Sequence, residues 1–248
     1  MNVQGYQKLS LLDFPGKVAC TVFTGGCNLR CPFCHNASLV RAPRENPDQT
    51  EELFSYLESR RGILEGVCVT GGEPTLQPDL PEFIGRLKKM GYSVKLDTNG
   101  SNPSALRALL ERNLLDYVAM DIKSAPSSYE RAVGKKTDFA PFEESIRLLR
   151  ESKISYEFRT TAVKGIHRRE DFEEIGRFLA GEKRYFLQSF RDSGNVLESG
   201  YGAFDDAETA EWLAIIRKTI PSARFVGFVG LDYLCLSLFR VQLWVNGV

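Results

Sequence analysis

Short apolar runs recur along the chain, and longer segments of mixed apolar and polar character separate them. Turn-forming residues bound these runs, which predict strands at Val18–Thr24, Gly66–Thr70, Tyr92–Thr98, Tyr117–Ile122, Ser155–Ala162 and Tyr185–Ser189. Their nearly continuous hydrophobicity is typical of parallel strands that helices cover. A further run, Arg224–Val229, predicts one more strand.

The segments between the strands carry helical patterns with recognisable starts. Asp48 with Glu51 and Asp79 with Glu82 have the spacing of a capping box. Asn102 before Pro103 is a good N-cap followed by a proline at the first helical position. Later in the chain, helices are predicted at Phe142–Ser152, Arg169–Ala180 and Ala207–Thr219.

The alternation of strands and helices predicts an α/β protein with a parallel sheet. Six such units are too few to close an eight-fold barrel, so a partial (β/α)6 TIM-like barrel, open at one side, is favoured. A doubly wound open sheet is the alternative. One domain over residues 1–230 accounts for the alternation, and 231–248 form an apolar C-terminal segment of unassigned role.

Composition narrows the class of protein. Among 248 residues, 43% are hydrophobic and 26% are charged, as in ordinary soluble proteins. Lys+Arg and Asp+Glu number 32 each, giving a formal net charge of +0, so no nucleic-acid partner is expected. The C-terminal segment is too short and interrupted to predict a membrane span.

The cysteines divide into two groups. Cys20, Cys68 and Cys235 sit singly in apolar surroundings, where a free thiol usually acts as a small buried hydrophobe. No signal-peptide pattern opens the chain, so the cytoplasm, which keeps thiols reduced, is the expected compartment.

The other three, Cys27, Cys31 and Cys34, lie within eight residues of one another, after the first predicted strand. Three thiolates can hold three corners of one [4Fe–4S] cluster and leave the fourth iron open. A zinc site with His35 as fourth ligand is the alternative. It is disfavoured because adjacent residues rarely aim both side chains at one ion.

This Cys-x3-Cys-x2-Cys run, with Phe33 before its last cysteine, resembles the signature of the radical S-adenosylmethionine superfamily. The continuation through His35 and Asn36 is similar to that of activating enzymes for glycyl-radical enzymes. The resemblance implies that S-adenosylmethionine chelates the open iron and is reductively cleaved to a 5′-deoxyadenosyl radical, which abstracts a hydrogen atom. Because Phe33 lies between two cluster ligands, adenine packing is favoured for it over a plain core role. Mainly backbone contacts to adenine are expected for His35 and Asn36.

Polar, glycine-containing segments stand at the predicted strand ends, where α/β barrels place their working residues. The second strand ends in Gly71, Gly72 and Glu73, which match the family's Gly-Gly-Glu motif for the methionine amino group. The third ends in a segment with Asp97 and Asn99. In the family, that segment reaches toward the methionine carboxylate and ribose.

Charged residues follow on the next two strands. Alternation places Asp121 and Lys123 on one side of the fourth strand, as either a structural ion pair or a site pair close to cofactor and substrate. Arg159 on the fifth strand matches an arginine near the cofactor carboxylate in the family. His167 is expected to be a solvated loop histidine. Gln188 and Phe190 resemble the end of the family's sixth strand, and a core or rim role is the alternative for both.

The segment Leu9–Lys17 resembles the activating component of anaerobic ribonucleoside-triphosphate reductase. The expected partners are therefore the large subunit of that reductase, as the glycyl-radical enzyme, and a flavodoxin or ferredoxin as low-potential electron donor.

Three alternative functions stay open. The chain could be an activator of pyruvate formate-lyase or another glycyl-radical enzyme, a small-molecule radical enzyme such as 7-carboxy-7-deazaguanine synthase, or a non-catalytic iron–sulfur or zinc module. A wide side opening favours a peptide substrate, whereas an enclosed pocket rimmed by inward charges favours a small molecule.

Overall fold

Eight strands form one sheet whose spatial order follows the order of the chain. The computed structural model describes residues 1–41, 49–192 and 194–227. Within them the strands are β1 (Val3–Ser10), β2 (Ala19–Thr24), β3 (Gly66–Gly71), β4 (Ser93–Thr98), β5 (Tyr117–Asp121), β6 (Ser155–Ala162), β7 (Tyr185–Ser189) and β8 (Arg224–Val226). β1 pairs antiparallel with β2, and each later neighbour pairs in parallel.

Helices connect the parallel strands and cover the outside of the sheet. They are α1 (Ala37–Arg41), α2 (Thr50–Ser59), α3 (Leu80–Lys89), α4 (Pro103–Glu111), α5 (Tyr129–Val133), α6 (Ala140–Glu151), α7 (Arg169–Phe178) and α8 (Asp206–Arg217). Short 3-10 turns occupy Pro74–Leu76 and Pro126–Ser128. The apolar faces of the longer helices join the strands in one core that extends from Val3 to Ala223.

The sheet confirms the expected partial barrel. Its parallel strands run in sequential order from β2 to β8, whereas a doubly wound sheet reverses its order at a switch point. In the described ranges β1 and β8 are the two edges and do not pair with each other, so the barrel is open at the side. All parallel strands end at the same rim.

The predicted strand and helix positions are confirmed to within a few residues where the structure describes them, and residues 228 and 229 of the last predicted strand lie outside the described residues. Three elements were not predicted. The edge strand β1 exposes three successive residues, Gln7 to Leu9, and lacks a continuous apolar run. The helices α1 and α5 have only five residues each, too few for a periodic pattern.

The structure confirms one predicted helix N-cap and contradicts another. The Asn102 cap is confirmed, because its side chain accepts a hydrogen bond from the backbone N–H of Ala105 at 3.3 Å. The capping box at Asp79 is wrong: no side-chain cap bond forms there, and the carboxylate pairs with the amino group of Met1 instead. Asp48 of the other predicted box lies outside the described residues.

The C-terminal part of the chain leaves two predictions open. The domain boundary at residue 230 and the segment 231–248 lie outside the described residues, so both stay predictions. Across the described ranges, no helix combines the length and apolar character that crossing a membrane requires.

Candidate functional site

The cysteines lie on one loop at the rim where the parallel strands end. This cysteine loop, residues 25–36, leaves β2 and is fixed by backbone hydrogen bonds on several sides. Gly26 N donates to Leu39 O at 2.8 Å, and Arg30 N donates to Val133 O at 2.9 Å. Within the loop, Cys34 N donates to Cys31 O at 3.0 Å and closes a tight turn. The loop is therefore held from both α1 and α5.

The thiols of the cysteine loop stand in a poorly solvated place. Cys31 is buried, and Cys27 and Cys34 are partly buried. Burial raises the pKa of Cys31 to about 12 and also raises the pKa of Cys27 above its ordinary value. As free side chains Cys27 and Cys31 are protonated, so binding a metal through them must release protons.

The arrangement of the thiols bears on the zinc alternative. Thiolates on one zinc ion each stand about 2.3 Å from it, which brings their sulfurs close together. Among the described residues, no three His, Cys, Asp or Glu side chains are grouped for a single ion in this way. A cubane cluster binds each thiolate to a different iron and therefore suits more widely spaced cysteines.

Gly71 and Gly72 let the end of β3 lie directly against the start of the cysteine loop. A Cβ on Gly71 would stand 2.3 Å from Thr24 N, and one on Gly72 would stand 2.0 Å from Gly26 O. Gly71 also has φ +118°, which favours glycine. Gly72 N donates to Thr24 O, and Glu73 N donates to Gly26 O, each at 2.8 Å.

Glu73 joins the ends of β3 and β4. Its fully buried carboxylate accepts from Thr75 N at 3.1 Å, from the hydroxyls of Thr75 and Thr98 at 2.5 and 2.7 Å, and from Asn99 N at 2.6 Å. Burial raises its pKa, which these hydrogen bonds partly oppose. Three of these donors reach Oε1 and one reaches Oε2, so Oε2 can accept a further hydrogen bond.

Asn99 extends this connection to the cysteine loop. Its Nδ2 donates to Asn28 Oδ1 at 3.0 Å and lies 3.9 Å from Cys27 Sγ. Asn28 Nδ2 in turn donates to Ser101 Oγ at 2.8 Å. The Asp-Thr-Asn-Gly segment is thus linked to the first cysteine through side chains.

Five charged side chains form an ion chain across β4, β5 and β6: Lys95, Asp97, Arg159, Asp121 and Lys123. Lys95 pairs with Asp97, whose Oδ2 accepts from both terminal nitrogens of Arg159 at 3.2 Å. Arg159 Nε donates to Asp121 Oδ1 at 2.9 Å, and Lys123 Nζ donates to Asp121 Oδ2 at 2.9 Å. Asp121 and Lys123, expected to be a pair, are confirmed as one.

The ion chain stays charged. Burial acts to raise the pKa of Asp121, but the Arg159 and Lys123 cations outweigh it and hold this pKa well below its usual range. Burial opposes the charge of Lys123, and the Asp121 carboxylate nevertheless raises its pKa. With three cations and two anions, the chain has a net charge of +1.

Lys123, at one end of the ion chain, is electrostatically coupled to the cysteines. The Lys123 cation opposes the effect of burial, which raises the pKa of both Cys27 and Cys31. An uncompensated cation in a poorly solvated place is costly. The rim between Lys123 and the cysteine loop is therefore suited to an anionic group.

His167 is buried, and its expected solvation is wrong. Its Nδ1 accepts from Val163 N at 3.0 Å, so Nε2 carries the proton and donates to Lys123 O at 2.8 Å. Burial lowers its pKa, and both ring nitrogens are used by the neutral form. His167 therefore holds the backbone carbonyl of Lys123 in place through a hydrogen bond.

The remaining candidates lie around the same rim. Phe33 is buried, with its ring centroid 6.3 Å from that of His167. By accessible surface His35 is exposed and Asn36 is partly exposed, although partial desolvation and the Lys123 cation lower the pKa of His35. Gln188 is partly buried, whereas Phe190 belongs to the core.

Sequence reasoning missed Lys95 and Gly134. Lys95 interrupts the apolar run of β4 two residues before Asp97, and that interruption was an available signal. Gly134 ends α5 at φ +69°, where a Cβ would stand 2.2 Å from Arg30 O in the cysteine loop. No local pattern connects it with the cysteines, since the contact is made only in the folded chain.

An open α/β barrel with three cysteines and a cationic network at one rim is the framework of a cofactor-dependent enzyme. The family model described as "Radical SAM superfamily" matches residues 21–179. The chain belongs to this superfamily, whose enzymes use a [4Fe–4S] cluster and S-adenosylmethionine.

Two sequence relatives and one solved structure are informative. A Methanocaldococcus jannaschii protein, provisionally named a glycyl-radical enzyme activating enzyme, is 33% identical over 193 residues, which is 76% of this chain and 79% of that protein. A 7-carboxy-7-deazaguanine synthase from Methanopyrus kandleri is 32% identical, covering 68% of this chain and 74% of the synthase. A domain of a Bacteroides vulgatus pyruvate-formate lyase-activating enzyme shares the fold, with a TM-score of 0.53, 19% identity, and coverage of 65% and 99%.

Gly72→Ala tests the contact between β3 and the cysteine loop. We expect the new Cβ to displace the loop, to destabilise the protein by about 1–3 kcal/mol, and to remove most of the iron bound after anaerobic reconstitution. Gly85→Ala is the matched control, because a Cβ there meets nothing within 4 Å. Equal iron content in the two variants would contradict the proposed contact.

His167→Gln tests the buried neutral histidine through the pH dependence of unfolding. Because its folded pKa is lowered, His167 contributes stability above its unfolded pKa of about 6.5, and this is lost as pH falls through the folded pKa. The variant should lack this component. Urea unfolding of both proteins across this range measures it, and identical pH profiles would refute it.

Proposed function

We propose that the chain activates a glycyl-radical enzyme, with the large subunit of anaerobic ribonucleoside-triphosphate reductase as the favoured partner. The observation that carries the proposal is the convergence of three cysteines and the cationic end of the ion chain at one open rim. The provisional name of the Methanocaldococcus jannaschii relative supports the activating role.

The cofactors fit the residues present. Cys27, Cys31 and Cys34 would hold one [4Fe–4S] cluster, since they share one partly buried loop at Cys-x3-Cys-x2-Cys spacing. When bound, the cluster and S-adenosylmethionine supply one-electron reductive cleavage and hydrogen-atom abstraction. The protein's part is to position these groups and to keep water out.

The charges of the rim suit S-adenosylmethionine. Arg159 and Lys123 would face its carboxylate, because the ion chain has one cation more than it has anions. Gly71 and Gly72 let backbone approach the ligand closely. Direct acceptance of the methionine ammonium by Glu73 stays a prediction. In the structure its carboxylate orients Thr75 and Asn99, and we assign it that positioning role.

The lateral opening supports a peptide substrate. Because β1 and β8 leave the described sheet open, a glycine-bearing loop of a partner could enter from the side. A small-molecule substrate would favour an enclosed pocket, whereas the described sheet is open at one side. We assign hydrogen abstraction to a glycine Cα–H of the partner. The electron donor is a flavodoxin or ferredoxin, and the cytoplasm is the proposed compartment.

A small-molecule reaction is the second candidate, and a specific finding favours it. The 7-carboxy-7-deazaguanine synthase from Methanopyrus kandleri covers 68% of this chain at 32% identity. It remains second because the relative named for glycyl-radical activation is matched over more of this chain.

An anaerobic assay tests the proposal. The reconstituted protein, a strong chemical reductant, S-adenosylmethionine and the large reductase subunit are combined and examined by electron paramagnetic resonance. We expect a glycine-centred radical on the subunit. Cys31→Ala should reduce this signal at least a hundredfold, because only two thiolates of the loop remain.

Cys20→Ala is the control, since Cys20 is buried within β2, away from the cysteine loop. It should retain the radical signal. A normal signal from Cys31→Ala would refute the role of the loop. Cleavage of S-adenosylmethionine without a glycyl radical on the reductase or on pyruvate formate-lyase would instead favour the small-molecule candidate.

A further inference from the structure

We propose that Lys95, at the buried end of the ion chain, supplies the excess positive charge that favours the carboxylate of S-adenosylmethionine at the other end. Lys95 would be a positioning residue, since it acts through Asp97, Arg159 and Asp121. The inference rests on the proposed placement of the cofactor at the rim, and it concerns ligand selectivity rather than the partner enzyme.

Lys95 is an unusual residue for its position. It lies in the middle of β4, is only 2% exposed, and pairs with Asp97. Its other polar neighbour is Cys68, whose Sγ is 3.8 Å from Lys95 Nζ. Burial raises the pKa of Cys68 far above its ordinary value, so this thiol adds no negative charge.

The balance of charges depends on this one residue. Without Lys95, the chain would contain two cations, Arg159 and Lys123, and two anions, Asp97 and Asp121. Its net charge would fall from +1 to zero. Arg159 and Lys123 would then be matched by carboxylates of the protein, and no excess charge would remain for a ligand.

Other charged groups near the chain do not change this balance. Glu157, which also acts on Arg159, accepts from the hydroxyl of Tyr117 at 2.5 Å, and the Arg184 guanidinium lies 5.8 Å from the Tyr117 ring centroid. Glu157 is thus engaged by a phenol rather than by an ion pair with a member of the chain. Asp13, which acts on Cys68, is partly exposed to solvent and is more weakly coupled for that reason.

The expected size of the effect follows from Coulomb's law. Residues two apart on a strand, such as Lys95 and Asp97, are separated by roughly 7 Å. A unit charge about 10 Å from a carboxylate, at an effective dielectric constant of about 20, changes the binding constant of that carboxylate about tenfold. Salt screens such a buried interaction only weakly.

The test compares S-adenosylmethionine with decarboxylated S-adenosylmethionine, which keeps the sulfonium and the amine but lacks the carboxylate. Dissociation constants are measured by equilibrium dialysis on the anaerobically reconstituted protein and its Lys95→Met variant, each normalised to its iron content. Taking the ratio of the two ligands removes any general loss of affinity and isolates the coupling between Lys95 and the carboxylate.

We expect the preference for S-adenosylmethionine over its decarboxylated form to fall about tenfold in Lys95→Met. Lys89→Met, a substitution of an exposed lysine on α3, should leave the preference within twofold of the original. If Lys95→Met does not fold, Lys95→Gln makes the same charge change and keeps an N–H donor for Asp97.

If a folded, iron-containing Lys95 variant keeps the original preference for S-adenosylmethionine over its decarboxylated form, the inference is overturned. This holds even if both ligands bind more weakly to the variant. That result would leave the proposed function intact. Failure of the unsubstituted protein to bind S-adenosylmethionine would instead contradict the placement of the cofactor. Failure of glycyl-radical formation with the preference altered as expected would contradict only the choice of partner.

Discussion

The site depends on the close contact between two backbone segments at the end of β2 and β3. Gly72 lies so near Gly26 that a Cβ would stand 2.0 Å from the Gly26 carbonyl oxygen. Paired backbone hydrogen bonds of 2.8 Å join these segments. Because the cysteine loop begins at Gly25, this contact fixes where the thiols stand relative to the barrel. The Glu73 carboxylate then connects the same place to the end of β4.

Charged side chains also position the residues of the rim. The ion chain fixes the ends of β4, β5 and β6 with paired charges, it contains one cation more than it has anions, and its Lys123 end is coupled to the cysteines. Neutral His167 holds the backbone of Lys123 in place through a hydrogen bond to its carbonyl oxygen. A rim that combines thiols with excess positive charge suits an anionic cluster and a carboxylate-bearing ligand, so one charge distribution serves both cofactors.

The fold and most candidate residues could be predicted because their signals are local. The spacing of Cys27, Cys31 and Cys34, and the position of Gly72 after an apolar run, are visible within a dozen residues. The burial of His167 and the contact of Gly134 with Arg30 could not be predicted, because both arise between segments far apart in the chain. At Asp79 the local pattern predicted too much. Its spacing to Glu82 is that of a capping box, but the Asp79 carboxylate pairs with the amino group of Met1, which is far away in the chain.

The central claim is that only the three thiolates of the cysteine loop hold the cluster, which leaves one iron open for a ligand. The most direct measurement uses a chain in which Cys20, Cys68 and Cys235 are all replaced by alanine. After anaerobic reconstitution it should bind about four irons, and the electron paramagnetic resonance spectrum of its reduced cluster should change when S-adenosylmethionine is added. Loss of the cluster, zinc in its place, or a spectrum insensitive to S-adenosylmethionine would contradict the account.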